Sequence, residues 1–246
     1  MSAPAAHPPG CHTTGRWTGA RVRFGAPLAA RLVRDAAQLG LGALDAEMCL
    51  AALEDAGRRA FGAAEGVVRL EAERPEGAAE GVRLAASTRP LGPEPEAWSA
   101  VLSPAAHEGP GPWAGTKRSA WACVERARAA ARAAGTDEAL LLDAEGRLVE
   151  GARASLVVVR SDGVAVAPPL ARGGVRSVAR AIALAGCPAI AEADVGLAEL
   201  RAAREIVALN AVRGARPVVR LDGRPVGDGR PGPVAARLRT VLDGAE

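Results

Sequence analysis

The sequence predicts two α+β domains rather than one doubly wound sheet. Helical and strand-like stretches are interspersed with no repeating strand–helix period. Several apolar runs turn back on themselves through Gly- and Asp-containing hairpins. A Pro/Gly-rich segment near the middle then divides the chain. At 246 residues the chain can bury one large core or two smaller ones. We expect a disordered Pro/Ala tail over 1–10, a small N-terminal domain over 11–104, a linker over 105–115 and a large C-terminal domain over 116–246.

The elements follow in order. Residues 13–17 and 20–24 read as two short strands around a Thr18-Gly19 turn. Pro27 opens a helix over 28–39, which Gly40 ends. Asp45 caps a second helix to about Ala60, with Leu50 and Leu53 on its buried side. Strands over 66–72 and 81–86 form a hairpin across the Glu/Pro/Gly-rich turn 74–80. Residues 97–102 suggest another strand. After the linker come a helix over 119–134 and strands over 138–143, 147–150 and 155–160, with a hairpin at Ser161-Asp162-Gly163. A helix starts near Arg176, strands cover 205–209 and 217–221, and 234–242 reads as the last helix.

Bulk properties exclude several classes. Net charge is +3 and the pI about 9.0, but the arginines are scattered among Asp and Glu without a basic block. Nucleic-acid binding is therefore not expected. Cys11, Cys49, Cys123 and Cys187 lie far apart with few histidines, so neither a metal site nor a disulfide framework is indicated. No apolar run is long enough to span a membrane, and the N-terminus lacks a signal pattern, so a cytoplasmic location is expected.

Lys117 is the only lysine among 31 basic residues. Arginine replaces lysine wherever a surface needs only charge. It fails where chemistry needs an amine that can lose its proton, above all a Schiff base with a carbonyl substrate or with pyridoxal phosphate. On composition alone, a leftover surface residue is an equal alternative. Glu150, at a strand end, has the chemistry to keep a pyridine nitrogen protonated, although such residues are most often solvated. Gly173-Gly174 ahead of a helix start at 176–180 frees backbone N–H groups for an anion, a pattern shared with ordinary loops. At Asn210-Ala211-Val212 a strand breaks into a polar turn whose amides have the same capacity, as do many plain connections.

In this order, these pieces resemble the fold-type IV pyridoxal-phosphate enzymes: branched-chain aminotransferases, D-amino acid aminotransferases and 4-amino-4-deoxychorismate lyases. Residues 136–143 with 146–150 look like the family run "DEALLLD..G.V.E", which places Glu150 at the pyridine nitrogen and Lys117 as the Schiff-base residue. Residues 11–16 with 30–32 are similar to "FETxR … HxxRL". That implies Arg31 as the phosphate arginine and Arg16 as a substrate-carboxylate contact. Residues 177–180 match "GITR", implying the amides of Val178 and Ala179 as phosphate donors. Residues 210–212 with 216–218 match "TNSL…PV", implying Ala211 for cofactor and Val212 for substrate.

The chain also departs from the pattern. It begins almost at the "FETxR" position, His12 replaces an aromatic, Leu28 replaces the usual histidine, and Ser155 stands where asparagine is common. Ala179 and Ala211 lack hydroxyls often found at the phosphate, and tyrosine is absent. The resemblance implies a homodimer with the cofactor in a cleft between the domains and a small-molecule amine substrate. It further implies a 4-amino-4-deoxychorismate lyase of folate biosynthesis. A class IV aminotransferase acting on branched-chain or D-amino acids is the alternative, and a degenerate non-catalytic member a further one. A non-catalytic arginine-rich anion-binding module is the reading from outside the family.

Overall fold

The computed structural model describes residues 10–75, 81–93 and 95–245. The tail expected over 1–10 lies outside them except for Gly10, as does the part of the hairpin turn at 76–80. The chain forms two compact units, one running to Leu91 and including Thr116–Trp121, the other comprising Gly92–Gly115 and the chain from Ala122 onward.

In the first unit, β1 (Gly10–Trp17) is followed by α1 (Gly25–Gln38), α2 (Ala46–Phe61), β2 (Gly66–Glu73) and β3 (Arg83–Pro90). The strands form an antiparallel sheet in the order β1-β2-β3, with Thr13 opposite Leu70 and Arg16 opposite Val67. Alternation turns Cys11, Thr13, Gly15 and Trp17 to the face covered by the helices. Trp17 lies flat against α2 because Gly57 has no side chain; a Cβ there would meet the indole at 2.6 Å. Asp45 caps α2, its Oδ1 accepting the Met48 N–H at 2.7 Å. Leu53 is buried and Leu50 only partly so.

The strand expected over 20–24 does not form. Thr18 closes a tight turn by bonding to the Arg21 carbonyl, and only Val22 bridges back to Trp17. Phe24 then takes a left-handed conformation (φ +55°) and α1 starts at once. Within α1 the buried stripe Leu28, Leu32, Ala36 also contains Arg31 and Asp35. Two charged residues thus sit at core-facing positions.

The second unit is built on a nine-stranded mixed sheet. Its elements are β4 (Trp98–Leu102), α3 (Ala122–Ala133), β5 (Glu138–Leu142), β6 (Leu148–Gly151), β7 (Ser155–Val159), β8 (Ala165–Ala167), α4 (Val178–Gly186), β9 (Ala191–Glu192), α5 (Leu197–Arg201), β10 (Glu205–Asn210), β11 (Gly214–Leu221), β12 (Arg224–Pro225) and α6 (Pro233–Asp243). The order is β6-β5-β4-β11-β10-β7-β8-β9, and β12 pairs antiparallel with the end of β11. β4 runs parallel to both β5 and β11.

One face of this sheet carries Trp98, Leu140, Leu156, Val158, Ile206 and Val218 as a single apolar cluster. α4 and α6 pack on β10. β7 and β10 are therefore buried on both faces, which is why SLVVV and IVAL read as unbroken apolar runs. α3 begins three residues later than expected because Ser119–Trp121 belong to the first unit, with Ala120 at φ +53°.

Candidate active site

In the first unit Lys117 stands on a short segment laid antiparallel along β1. The Lys117 carbonyl accepts the His12 N–H at 3.0 Å and the Gly10 carbonyl accepts the Ser119 N–H at 2.8 Å. The Lys117 N–H donates to Asp35 Oδ2 at 3.0 Å. Its main chain is thus held on both sides. Ser119 also donates its hydroxyl to Glu71, and Arg118 stacks on the Trp121 ring at 4.1 Å.

Arg31 reaches the same neighbourhood from α1. Its Nη2 donates to Thr13 Oγ1 at 2.8 Å, and its Nε is 4.0 Å from Asp35 Oδ2. That Nε is buried and meets no hydrogen-bond acceptor among the described residues. Burial pulls the Arg31 guanidinium down to about 10, against the favourable charge of Asp35. Burial first, and then the Asp35 charge, push the Cys11 thiol up to about 12, so it stays a neutral packing group. Arg16 is engaged elsewhere: its Nη2 donates to Glu65 Oε1 at 2.6 Å at a part-exposed position.

In the second unit Glu150 sits on β6, 4% exposed. Its Oε2 accepts the Val175 N–H at 3.0 Å, and its Oε1 lies 3.5 Å from His107 Nε2. His107, 3% exposed, comes from the segment expected to be a linker. Its N–H donates to the Leu142 carbonyl and its Nδ1 accepts the Gly109 N–H at 3.0 Å. That acceptor role puts the ring proton on Nε2, toward Glu150.

The same Pro/Gly segment touches the 173–176 loop. The Gly173 carbonyl accepts the Gly115 N–H, and the Gly115 carbonyl accepts the Arg176 N–H. Gly173 has φ +94°, and a Cβ there would meet the Gly109 carbonyl oxygen at 2.2 Å, so the position demands glycine.

Past that loop Ser177 caps α4, its hydroxyl accepting the Arg180 N–H. Val178 and Ala179 are the first two residues of α4, and N–H groups there have no carbonyl within the helix to donate to. At the end of β10, Asn210 Oδ1 accepts the N–H groups of both Val212 (3.0 Å) and Arg213 (2.8 Å). Ala211 and Val212 are both buried, but the Val212 amide is already used within this Asx turn.

A family model described as amino-transferase class IV matches residues 10–221. The chain belongs to the class IV aminotransferases. These enzymes use pyridoxal phosphate. A hypothetical aminotransferase from Mycobacterium tuberculosis, in its apo form, is 21% identical and aligns over 100% of this chain and 93% of its own with a TM-score of 0.81. A putative 4-amino-4-deoxychorismate lyase from Legionella pneumophila is 18% identical over 100% of this chain and 96% of its own, with a TM-score of 0.84. The branched-chain amino acid aminotransferase of Escherichia coli is 21% identical over 98% and 86%, with a TM-score of 0.82. No curated protein matches. The fold is that of the fold-type IV enzymes, in agreement with the reading of the sequence.

The residues present fit the cofactor. The buried, acceptor-less Nε of Arg31 suits a phosphate oxygen, and the buried carboxylate of Glu150 suits a protonated ring nitrogen. Asp35 and His107 were missed from sequence. Asp35 carried a signal, since it follows Arg31 by one helical turn inside an apolar stripe. His107 carried none beyond its rarity. Among the described residues no helix is long and apolar enough to cross a membrane.

Proposed function

We propose that the chain is a pyridoxal-phosphate-dependent lyase that converts 4-amino-4-deoxychorismate into pyruvate and 4-aminobenzoate, a folate precursor. The observation that carries the reading is the only lysine of the chain, held by both main-chain polar groups beside a buried arginine with an open Nε. When bound, the cofactor supplies a ring that accepts the electron pair left as a bond at the amine-bearing carbon breaks. Arg31 and the amides of Val178, Ala179 and Ala211 would hold its phosphate, and Glu150 would hold its ring nitrogen protonated. Arg16 and Val212 are the proposed partners of the substrate carboxylate, Arg16 by leaving Glu65 and Val212 by leaving Asn210.

Lys117 Nζ is the proposed proton carrier. It takes the proton from the amine-bearing carbon and delivers it to the methylene carbon of the departing pyruvate enolate. One C–H and one C–O bond break, the six-membered ring becomes aromatic, and the proton leaves with pyruvate. The lyase is preferred because Ala211 offers no hydroxyl in the turn, and the likeness to the Legionella chain supports it. The likeness to the E. coli enzyme favours the second reading, an aminotransferase acting on branched-chain or D-amino acids.

Product analysis separates the two. The lyase yields 4-aminobenzoate and pyruvate in equal amounts with no keto-acid acceptor, whereas the aminotransferase is silent until one is added. Lys117→Ala and Lys117→Arg should both lose turnover; product formation by either variant would refute the role of the amine. A homodimer in the cytoplasm belongs to the same proposal, and light scattering of the purified chain tests the dimer.

A further inference from the structure

Asp35 is fully buried, with 0% exposure, and nothing in the proposed chemistry uses it. Its two oxygens are spent unequally. Oδ1 accepts Arg34 Nη2 at 2.8 Å from a part-exposed side chain. Oδ2 accepts the N–H of Lys117, 82 residues further along the chain, at 3.0 Å. Arg31, one helical turn before Asp35, receives its charge but no hydrogen bond, because Nε stays 4.0 Å away. A simple counter-ion for a buried arginine would take the bonded, bidentate geometry that guanidinium favours. This carboxylate instead leaves Nε open and turns its bonding edge to the residue bearing the amine.

We propose that Asp35 is a positioning residue, one buried carboxylate that sets the Lys117 main chain and the Arg31 guanidinium together, so that an anion taken up at Arg31 is felt at Lys117. The proposal rests on the reading of Arg31 and Lys117 as cofactor residues. An anion at Arg31 draws the guanidinium away from Asp35 and weakens the charge that Oδ2 feels from it. The bond from Oδ2 to the Lys117 N–H then strengthens. Binding of the phosphate end therefore tightens the lysine segment.

The single lysine makes this measurable without any turnover. Isotopic labelling of lysine nitrogen leaves one backbone amide signal, that of Lys117, and inorganic phosphate is the probe. In the wild-type chain phosphate should shift that signal and slow its exchange with solvent. Arg31→Leu should abolish the response by removing the anion site. Asp35→Asn keeps the volume but presents an amide, and it should move the starting position of the signal and abolish its response. A wild-type signal indifferent to phosphate would overturn the proposal even if Asp35→Asn does not fold. An Asp35→Asn signal that responds like the wild type would do the same, since a merely structural Asp35 predicts that result.

Pyridoxal phosphate attachment, measured on the same samples by mass, separates the two claims. Attachment at Lys117 with a silent phosphate titration sinks the role of Asp35 alone. A phosphate response with no attachment sinks the enzyme reading and leaves the coupling standing.

Discussion

Replacing Glu138 by glutamine should flatten the stability of the protein against pH. Glu138 opens β5 inside the second unit and has no solvent exposure. Its Oε1 accepts the Ala139 N–H at 2.9 Å and its Oε2 accepts the Arg153 N–H at 3.2 Å, pinning the turn that follows Glu150. Burial is the largest influence and raises the carboxyl from 4.5 to about 7, with the two amides and the charges of Arg153 and Arg128 opposing it. The folded chain therefore keeps this proton to higher pH than the unfolded chain does.

Below the unfolded value both states are protonated and the group contributes nothing to the pH dependence. Between the two values stability falls as pH rises, because the unfolded state has lost its proton first. Above about 7 the full penalty is in place. At about 1.4 kcal/mol for each pH unit between the two values, it comes to roughly 3 kcal/mol. Glutamine does not titrate, but it loses one acceptor, at a cost of about 1 kcal/mol. Urea melts of both chains at pH 4, below the unfolded value, and at pH 8 test this. Glu138→Gln should be the less stable chain by about 1 kcal/mol at the lower pH and the more stable by roughly 2 kcal/mol at the higher. Groups common to both chains cancel in the difference, so parallel stability–pH curves would refute the reasoning.

Three further outcomes follow from named contacts. His107→Leu removes the ring beside Glu150 Oε1 and the acceptor for the Gly109 N–H, and should weaken pyridoxal phosphate binding about tenfold in equilibrium dialysis; unchanged binding would remove His107 from the site. Glu65→Ala releases Arg16 from a part-exposed bond, so stability should change by less than about 1 kcal/mol while KM for a carboxylate substrate falls. A KM that stays the same would argue against Arg16 as the carboxylate partner. Gly57→Ala drives a methyl against the Trp17 ring and should cost about 1–3 kcal/mol in a thermal melt followed by tryptophan fluorescence.

Elements set by neighbouring residues were legible in advance. Asp45 ahead of Met48 announced α2, and the alternating runs on either side of a Glu/Pro/Gly turn announced the β2–β3 pairing. Glu138-Ala139-Leu140-Leu141-Leu142 was legible as a strand, though not the parallel pairing of β4 with β11, which joins residues over a hundred positions apart. The apparent strand at 20–24 failed for a local reason. Its alternation is real, but a turn at Thr18 and the left-handed Phe24 leave too little extended chain to pair.

The candidate site divides in the same way. Lys117 stood out by rarity and Glu150, Arg31 and the amides by pattern, because chemistry constrains residue type. Asp35 and His107 act through partners that only folding supplies. Lys117 lies 82 residues from Asp35, and Glu150 is brought to a histidine from a segment whose prolines and glycines suggested a tether. The same long-range bonding decides how the segment behaves: the His107 N–H bond to Leu142 and the Gly115–Gly173 pair hold it in place.

Covalent attachment of pyridoxal phosphate at Lys117 tests the central claim most directly. The purified chain is mixed with the cofactor, reduced with borohydride, digested and weighed peptide by peptide beside Lys117→Ala. With one lysine in the sequence, the only rival amine is the N-terminus. The account predicts one stoichiometric adduct, on the peptide containing Lys117, and none on the corresponding peptide of the variant. An adduct confined to the N-terminus, equal in both chains, would contradict it.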